Sequence, residues 1–245
     1  MDLVYLVKKA EVNIDLVYSL RSVCAHELQF GRIWMAGYTP GWTQNVGSIP
    51  TEQNHPTKWL NSYYNLIAAC HHPEVSEDFV LMNDDFVALR HVDLERDLNV
   101  CGTSLQSKIA EFEGHSASMW KRGFTLIYDL LHKMHAQHFM NFGIHLPMII
   151  NKHRFLEINS HPKVVEYLKL RQILPFRSLY GNLAWTSPVC VSDVKVPYKH
   201  DIPVNWMDGQ WVSTFDNVLG SPAYPRLYKF LLPLATKRCC YERAA

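Results

Sequence analysis

The sequence has no long apolar run. Its N-terminus, MDLVYLVKK, sets an acid before a short hydrophobic stretch and lysines after it, and the stretch is too short for a leader core or a membrane span. CxxC spacing is also missing among the six cysteines (24, 70, 101, 190, 239 and 240), which speaks for reduced thiols and against a zinc site or a disulfide framework. Proline and glycine are scattered, and no low-complexity tract or internal repeat is visible. Charged residues are only 19% of the chain against 48% apolar ones, a composition that excludes disorder. These absences predict a single domain over residues 1–245 that is soluble and cytoplasmic, with no membrane partner.

A dominant charge sign is lacking too, since the net charge is +1. That balance hides an asymmetry. Residues 1–100 carry 7 Lys+Arg against 13 Asp+Glu, leaving 17 against 10 for residues 101–245. The second half is the one suited to anions.

What is present reads as alternating strands and helices. DLVYLV is β-rich, and NIDLVYSLRSVCAH has apolar residues at helical spacing. GRIWMAGY is strand-like and ends in the turn signal TPGW. TKWLNSYYNLIAACHH opens on Thr57 as a cap and closes on His71 and His72 as a helix end, and DFVLM follows as a strand. This β-α-β-α-β order predicts an α/β fold with a mostly parallel sheet flanked by helices, in which ligands bind beyond the carboxyl ends of the strands.

Asn83-Asp84-Asp85 falls at that edge, inside FVLMNDDFVAL. Two adjacent carboxylates in an apolar run need a positive partner. A divalent metal shared with phosphate oxygens would supply one, and a turn in which Asn83 and Asp84 satisfy local backbone groups is the plain alternative.

Several blocks occur in the same order as in a known family. LVYSLRSVCAH, TKWLNSYYNLIAACHHPEVSEDFVLMNDDFVAL, FGIHLPMIINKHRFLEI and PFRSLYGNL resemble the successive blocks of Stealth-type sugar transferases, which have a GT-A-like (Rossmann-like) nucleotide-sugar-binding fold. The resemblance reaches from residue 1 to about 183, with GQWVSTFDNVL as a further block. Where those enzymes open with Trp-Val-Asp-Gly this chain has Val7-Lys8-Lys9-Ala10, and Leu66 stands where they carry an acid. With its GRIWMAGYTPGW block, the trimmed chain is most similar to compact bacteriophage-type glycosyltransferases, which implies transfer of the sugar itself and, for a phage-encoded protein, a place in the host cytoplasm.

The resemblance implies a metal-dependent enzyme using Mn²⁺ or Mg²⁺ and a UDP-linked donor. Asp84, Asp85 and His145 would be the metal ligands. Lys8, Arg21, Lys58, Asn61 and Asn83 would hold the donor. His145, Arg177 and Asp84 would be catalytic, with residues 1–100 as the donor-binding half and 101–245 as the acceptor half. His145 lies between Ile144 and Leu146, so it either completes the metal shell, exchanges a proton with the acceptor, or is a satisfied core imidazole. Arg177 would neutralise phosphate, with a surface loop arginine as its alternative, and a solvated helix arginine is the alternative for Arg21. Trp42 in PGW would close over a base or sugar, or sit buried under its turn. His132, His135 and His138 lack the carboxylate or thiol that would complete a zinc set, and SASMWKRGFTLIYDLLHKM reads as core.

Residues 151–177 hold six Lys+Arg (152, 154, 163, 169, 171, 177) against Glu157 and Glu166, interleaved with Phe155, Tyr167 and Phe176. Such a stretch suits a polyanion, although HPKVVEYLKLRQIL has helical period as well. The acceptor expected on this reading is a hydroxymethylated pyrimidine in phage DNA, with a protein or a glycan as alternatives. Two rival functions remain: a sugar-phosphate transferase, and a non-catalytic module that only binds sugar nucleotides.

Overall fold

The computed structural model describes residues 1–10, 13–113, 118–170, 173–196, 209–214 and 224–243. Along the chain, β1 (Asp2–Val7) leads into α1 (Ile14–Ala25), and β2 (Ile33–Gly37) and β3 (Gly47–Pro50) precede α2 (Lys58–His71). Only Asp84 and Asp85 separate β4 (Asp78–Asn83) from β5 (Phe86–Ala88). After β6 (Val100–Cys101) come α3 (Leu105–Ala110), α4 (Met119–Lys133) and β7 (Met148–Asn151). The helices α5 (Lys152–Ser160), α6 (Pro162–Lys169) and α7 (Phe176–Ala184) follow, then β8 (Val189–Cys190), β9 (Trp211–Ser213) and α8 (Tyr224–Ala235).

The central sheet has the order β3-β2-β1-β4-β7. β1 pairs in parallel with β2 and with β4, β2 pairs in parallel with β3, and β7 runs antiparallel on β4. The expected mostly parallel α/β sheet is therefore present. β3, which sequence pattern did not single out, extends it at one edge. β7 closes the other and brings residues from both halves of the chain into one sheet.

The two-residue period of the strands explains why both faces are covered. Val4, Leu6, Phe79 and Leu81 point to one side, where they pack with Leu66 of α2, Ile127 of α4, Phe155 of α5 and Leu179 of α7. Leu3, Tyr5, Val7, Val80 and Met82 point to the other, against Leu16 and Leu20 of α1 and Phe86 of β5. A strand buried on both faces must be apolar throughout, which is why DLVYLV and DFVLM read as continuous hydrophobic runs. Leu66 is fully buried in this packing, so the position where Stealth-type enzymes carry an acid is core here.

Local chemistry fixes the ends of the elements. Thr57 caps α2 by accepting from the Leu60 amide. At the other end of α2, the Lys152 ammonium donates to the carbonyls of His72 and Val75, both at 2.8 Å. HPKVVEYLKLRQIL is helical only from Pro162 to Lys169, and its Arg171 and Gln172 lie outside the described residues. Of the GQWVSTFDNVL block, WVS forms β9 and FDNVL lies outside the described residues.

Strand order reverses between β1 and β4. Chain leaving β1 crosses toward β2 and β3 on one side, while α2 carries it back to β4 on the other. The carboxyl ends of β1 and β4 diverge there and leave a crevice. Leu6 pairs with Asn83, so Lys8 and the Asp84-Asp85 pair follow at neighbouring strand ends.

Candidate active site

The turn after β4 is set by the small sheet beside it. β5 pairs antiparallel with β9, with Phe86 opposite Ser213, and the Thr214 amide donates to the Asp85 carbonyl at 2.9 Å. That register brings the Ser213 hydroxyl to Asp85 Oδ2 at 2.7 Å. The same oxygen meets Lys195 Nζ at 2.6 Å. The ammonium also donates to Ser213 Oγ at 3.1 Å and to the Thr214 carbonyl. In this structure the positive partner of the acidic turn is a lysine 110 residues away in sequence.

Arg177 reaches the same turn from the first turn of α7. Its Nη1 donates to the Leu146 carbonyl at 2.6 Å and its Nη2 to Asn83 Oδ1 at 3.2 Å, and the guanidinium lies over the Phe86 ring at 5.4 Å. Burial pushes its pKa down from 12.5 to about 10, while the charge of Asp85 works in the opposite direction. It stays cationic at neutral pH, but holding that charge out of water is costly.

His145 comes from the loop before β7. Its Nδ1 lies 2.9 Å from both oxygens of Asp193, and its own amide donates to Asp193 Oδ1 at 3.1 Å. A carboxylate facing Nδ1 selects the tautomer with the proton on that nitrogen and leaves the Nε2 lone pair free. Burial pushes the Asp193 pKa up, but the bond and charge of His145 and the amides of His145 and Lys195 outweigh it and hold the carboxyl below its usual range. The same Asp193 oxygen accepts from the Lys195 amide at 3.1 Å, so one carboxylate orients the imidazole and anchors the lysine.

These groups border a cavity of about 820 Å³, a size that accommodates a nucleotide sugar. Lys8 and the Asn83-Asp84-Asp85 turn line its floor at the strand ends, and Lys58, Asn61, Ser62 and Asn65 of α2 line one wall. His145, Arg177 and Lys195 line the cavity as well, the last two in contact with that turn. Trp59, Trp120, Phe124 and Phe176 add an apolar wall, in which Trp59 and Trp120 meet edge to face at 5.3 Å. Phe124 and Trp120 belong to α4, so the helix read as pure core also presents aromatic surface to the cavity. The lining includes Lys8, Lys58, Arg177 and Lys195 together with Asp15, Asp84 and Asp85.

Of the residues singled out by sequence, Lys8, Lys58, Asn61, Asn83, Asp84, Asp85, His145 and Arg177 all line this cavity. Arg21 does not. It forms an ion pair with Glu242 at 2.7 Å and donates to the carbonyls of Leu234 and Ala235, so it ties α1 to the C-terminal segment. Trp42 lies with Arg21 along a separate groove.

The expected metal shell of Asp84, Asp85 and His145 is not assembled. Among the described residues no three His, Cys, Asp or Glu side chains converge as a metal-binding group. The reason is local: Asp85 Oδ2 is already engaged by the Lys195 ammonium and the Ser213 hydroxyl. The residues present therefore do not fit a preformed Mn²⁺ or Mg²⁺ site.

Part of the basic segment is engaged within the protein. Besides Lys152, Arg154 pairs with Glu157 and donates to the Leu183 carbonyl, and Lys163 donates to the Lys133 carbonyl. Lys152, Arg154 and Lys163 thus bind protein groups, whereas Lys169 is exposed and Arg171 lies outside the described residues.

Sequence reading missed Asp193, Lys195 and Ser213. A signal was available in VSDVKV, where opposite charges at i and i+2 alternate with valines and share one side of an extended chain.

No family model matches this chain, and no curated protein matches it. Among solved structures it is similar to galactosyltransferase LgtC in complex with donor and acceptor sugar analogs, at 12% identity and a TM-score of 0.54 over 97% of each chain. A structure of an active-site mutant of LgtC matches at 15% identity and a TM-score of 0.47, over 78% of this chain and 72% of that one. At such identities the likeness is one of fold, and it gives the chain the GT-A-like α/β architecture.

Proposed function

We propose that this chain transfers a sugar from a nucleoside-diphosphate sugar to a hydroxyl of a carbohydrate acceptor. The observation that carries this reading is the meeting of a buried guanidinium, an ammonium and a carboxylate-oriented imidazole on one cavity at the reversal of strand order. Residues 1–100 supply most of the donor side, where Lys8, Lys58, Asn61 and Asn83 contact a nucleotide of the UDP type beside the amino end of α2. Residues 101–245 supply the acceptor side.

The acceptor oxygen forms a bond to the anomeric carbon as the bond from that carbon to the diphosphate oxygen breaks. The acceptor proton passes to His145 Nε2, with Asp193 stabilising the imidazolium. The electron pair leaves on the diphosphate, where Arg177 and Lys195 offset the developing charge. Trp59, Trp120, Phe124 and Phe176 suit the apolar face of a sugar ring, whereas a polyanion would find cations already committed along residues 152–163. That contrast favours a glycan over hydroxymethylated DNA.

The test offers a panel of nucleotide sugars with glycan, hydroxymethylated DNA and unmodified DNA, each with Mn²⁺ and with chelator. Transfer to a glycan with release of nucleoside diphosphate supports the proposal. Nucleoside monophosphate would signal sugar-phosphate transfer instead, for which the buried Leu66 offers no acid. Labelling confined to hydroxymethylated DNA would overturn the carbohydrate acceptor, and no turnover of any donor would leave a binding module.

A further inference from the structure

The geometry points to Lys195 as a built-in cation that holds the place beside Asp85 where a divalent metal would otherwise bind. This deepens the transferase reading but rests on the geometry of one ion pair. The ammonium has three protons and three oxygen partners: Asp85 Oδ2, Ser213 Oγ and the Thr214 carbonyl. It is a fully coordinated cation among oxygen ligands.

Its backbone is held on both sides. The Val196 amide donates to the Ser213 carbonyl at 3.0 Å, the Ser213 amide donates to the Val194 carbonyl at 3.2 Å, and the Lys195 amide donates to Asp193 Oδ1 at 3.1 Å. The pair is mostly shielded from water, with the Asp85 side chain 16% and the Lys195 side chain 31% exposed.

A magnesium-sized ion would need Asp85 Oδ2 at roughly 2.0–2.1 Å. The ammonium occupies that oxygen at 2.6 Å, so the two cations exclude each other. The Arg177 guanidinium on the neighbouring Asn83 adds a second fixed positive charge. Lys195 and Arg177 bring two positive charges, one of them balanced by Asp85, and the cavity lining sets Lys8, Lys58, Arg177 and Lys195 against Asp15, Asp84 and Asp85, so a diphosphate meets a net positive charge supplied by the chain itself.

The experiment uses the full chain without any sugar donor. Mn²⁺ is titrated into wild type, Lys195→Ala and Lys195→Gln and followed by electron paramagnetic resonance. Inorganic pyrophosphate binding is measured by calorimetry in excess chelator. Wild type should leave Mn²⁺ free and bind pyrophosphate without metal. Removing the ammonium should open a Mn²⁺ site at least ~10-fold tighter than in wild type and weaken metal-free pyrophosphate binding by a similar factor. Lys195→Gln keeps polar contact with Ser213 and Thr214, so it carries the readout if the alanine variant fails to fold. Mn²⁺ binding by wild type as tight as by the variants, pyrophosphate binding only when metal is present, or variants that gain no Mn²⁺ would each overturn the inference. A negative donor screen alongside the expected Mn²⁺ pattern would overturn only the transferase reading.

Discussion

Replacing Arg177 with methionine should separate stability from activity, because the residue's burial is costly to the fold. The fall of its pKa from 12.5 to about 10 corresponds to roughly 3 kcal/mol disfavouring the charged form in place. Against this stand two hydrogen bonds. The one to Asn83 Oδ1 faces the cavity, where water can replace it; the one to the Leu146 carbonyl is buried, and orphaning that acceptor costs about 1–3 kcal/mol. Methionine fills much of the same volume and its thioether can rest on the Phe86 ring, so little void is left. These opposing effects nearly cancel, and Arg177→Met should unfold in urea within about 2 kcal/mol of wild type. Turnover should nonetheless fall by ~10²–10³-fold, the range for losing a preorganised charge contact to a leaving group. Equilibrium urea unfolding and initial rates of nucleoside diphosphate release check both halves. A variant that loses far more stability yet retains turnover would show Arg177 to be a structural residue.

Most of the sheet was legible in the sequence because a strand covered on both faces has to be apolar from end to end, as DLVYLV and DFVLM are. β3 escaped because GSIP alternates buried and exposed residues over only four positions. The Asn83-Asp84-Asp85 turn stood out because paired carboxylates contradict their apolar surroundings, and that conflict led to the cavity. Its neutralising partner did not stand out, since a contact across 110 residues leaves no local period to read. Arg21 illustrates the converse: a helix arginine before a polar residue looks like a phosphate contact until the chain brings Glu242 back to it. Lys152, Arg154 and Lys163 likewise form a basic segment on paper, while in three dimensions each satisfies a carbonyl. Charge counts report which groups exist, and only the fold decides whether they face a ligand or the protein.

Asp193→Asn should lower kcat by ~100-fold or more with little change in donor KM, because an amide no longer fixes the imidazole tautomer or stabilises its protonated form. Equal loss in donor binding would place Asp193 in donor recognition instead. The carboxyl is held below its usual range, so the stability it contributes is complete above the unfolded value near 3.9 and is lost as pH falls through the lower folded value; urea midpoints below pH 4 should therefore fall more steeply in wild type than in Asp193→Asn. Arg21→Ala should leave kcat and donor KM unchanged while lowering stability by about 1–3 kcal/mol, because Glu242 keeps only the Cys239 amide and the Leu234 and Ala235 carbonyls lose the guanidinium; a fall in donor affinity at constant stability would restore Arg21 to the site. The last prediction concerns Gly37, at the end of β2, where the backbone has φ +108. A Cβ there would lie 2.3 Å from Asn65 Nδ2, 2.5 Å from the Val7 carbonyl and 2.6 Å from Gln53 Nε2. Asn65 and Gln53 both line the cavity, and the Val7 carbonyl, which accepts from Gln53 Nε2 and the Tyr38 amide, immediately precedes Lys8. Gly37→Ala should therefore lose about 1–3 kcal/mol to backbone strain alone and weaken donor binding at the same time. Gly41, around which nothing lies within 4 Å, is the control, and Gly41→Ala should stay within about 0.5 kcal/mol of wild type. If the two alanine variants unfold at the same urea concentration and bind donor equally well, the crowding that couples the end of β2 to the donor wall is not real.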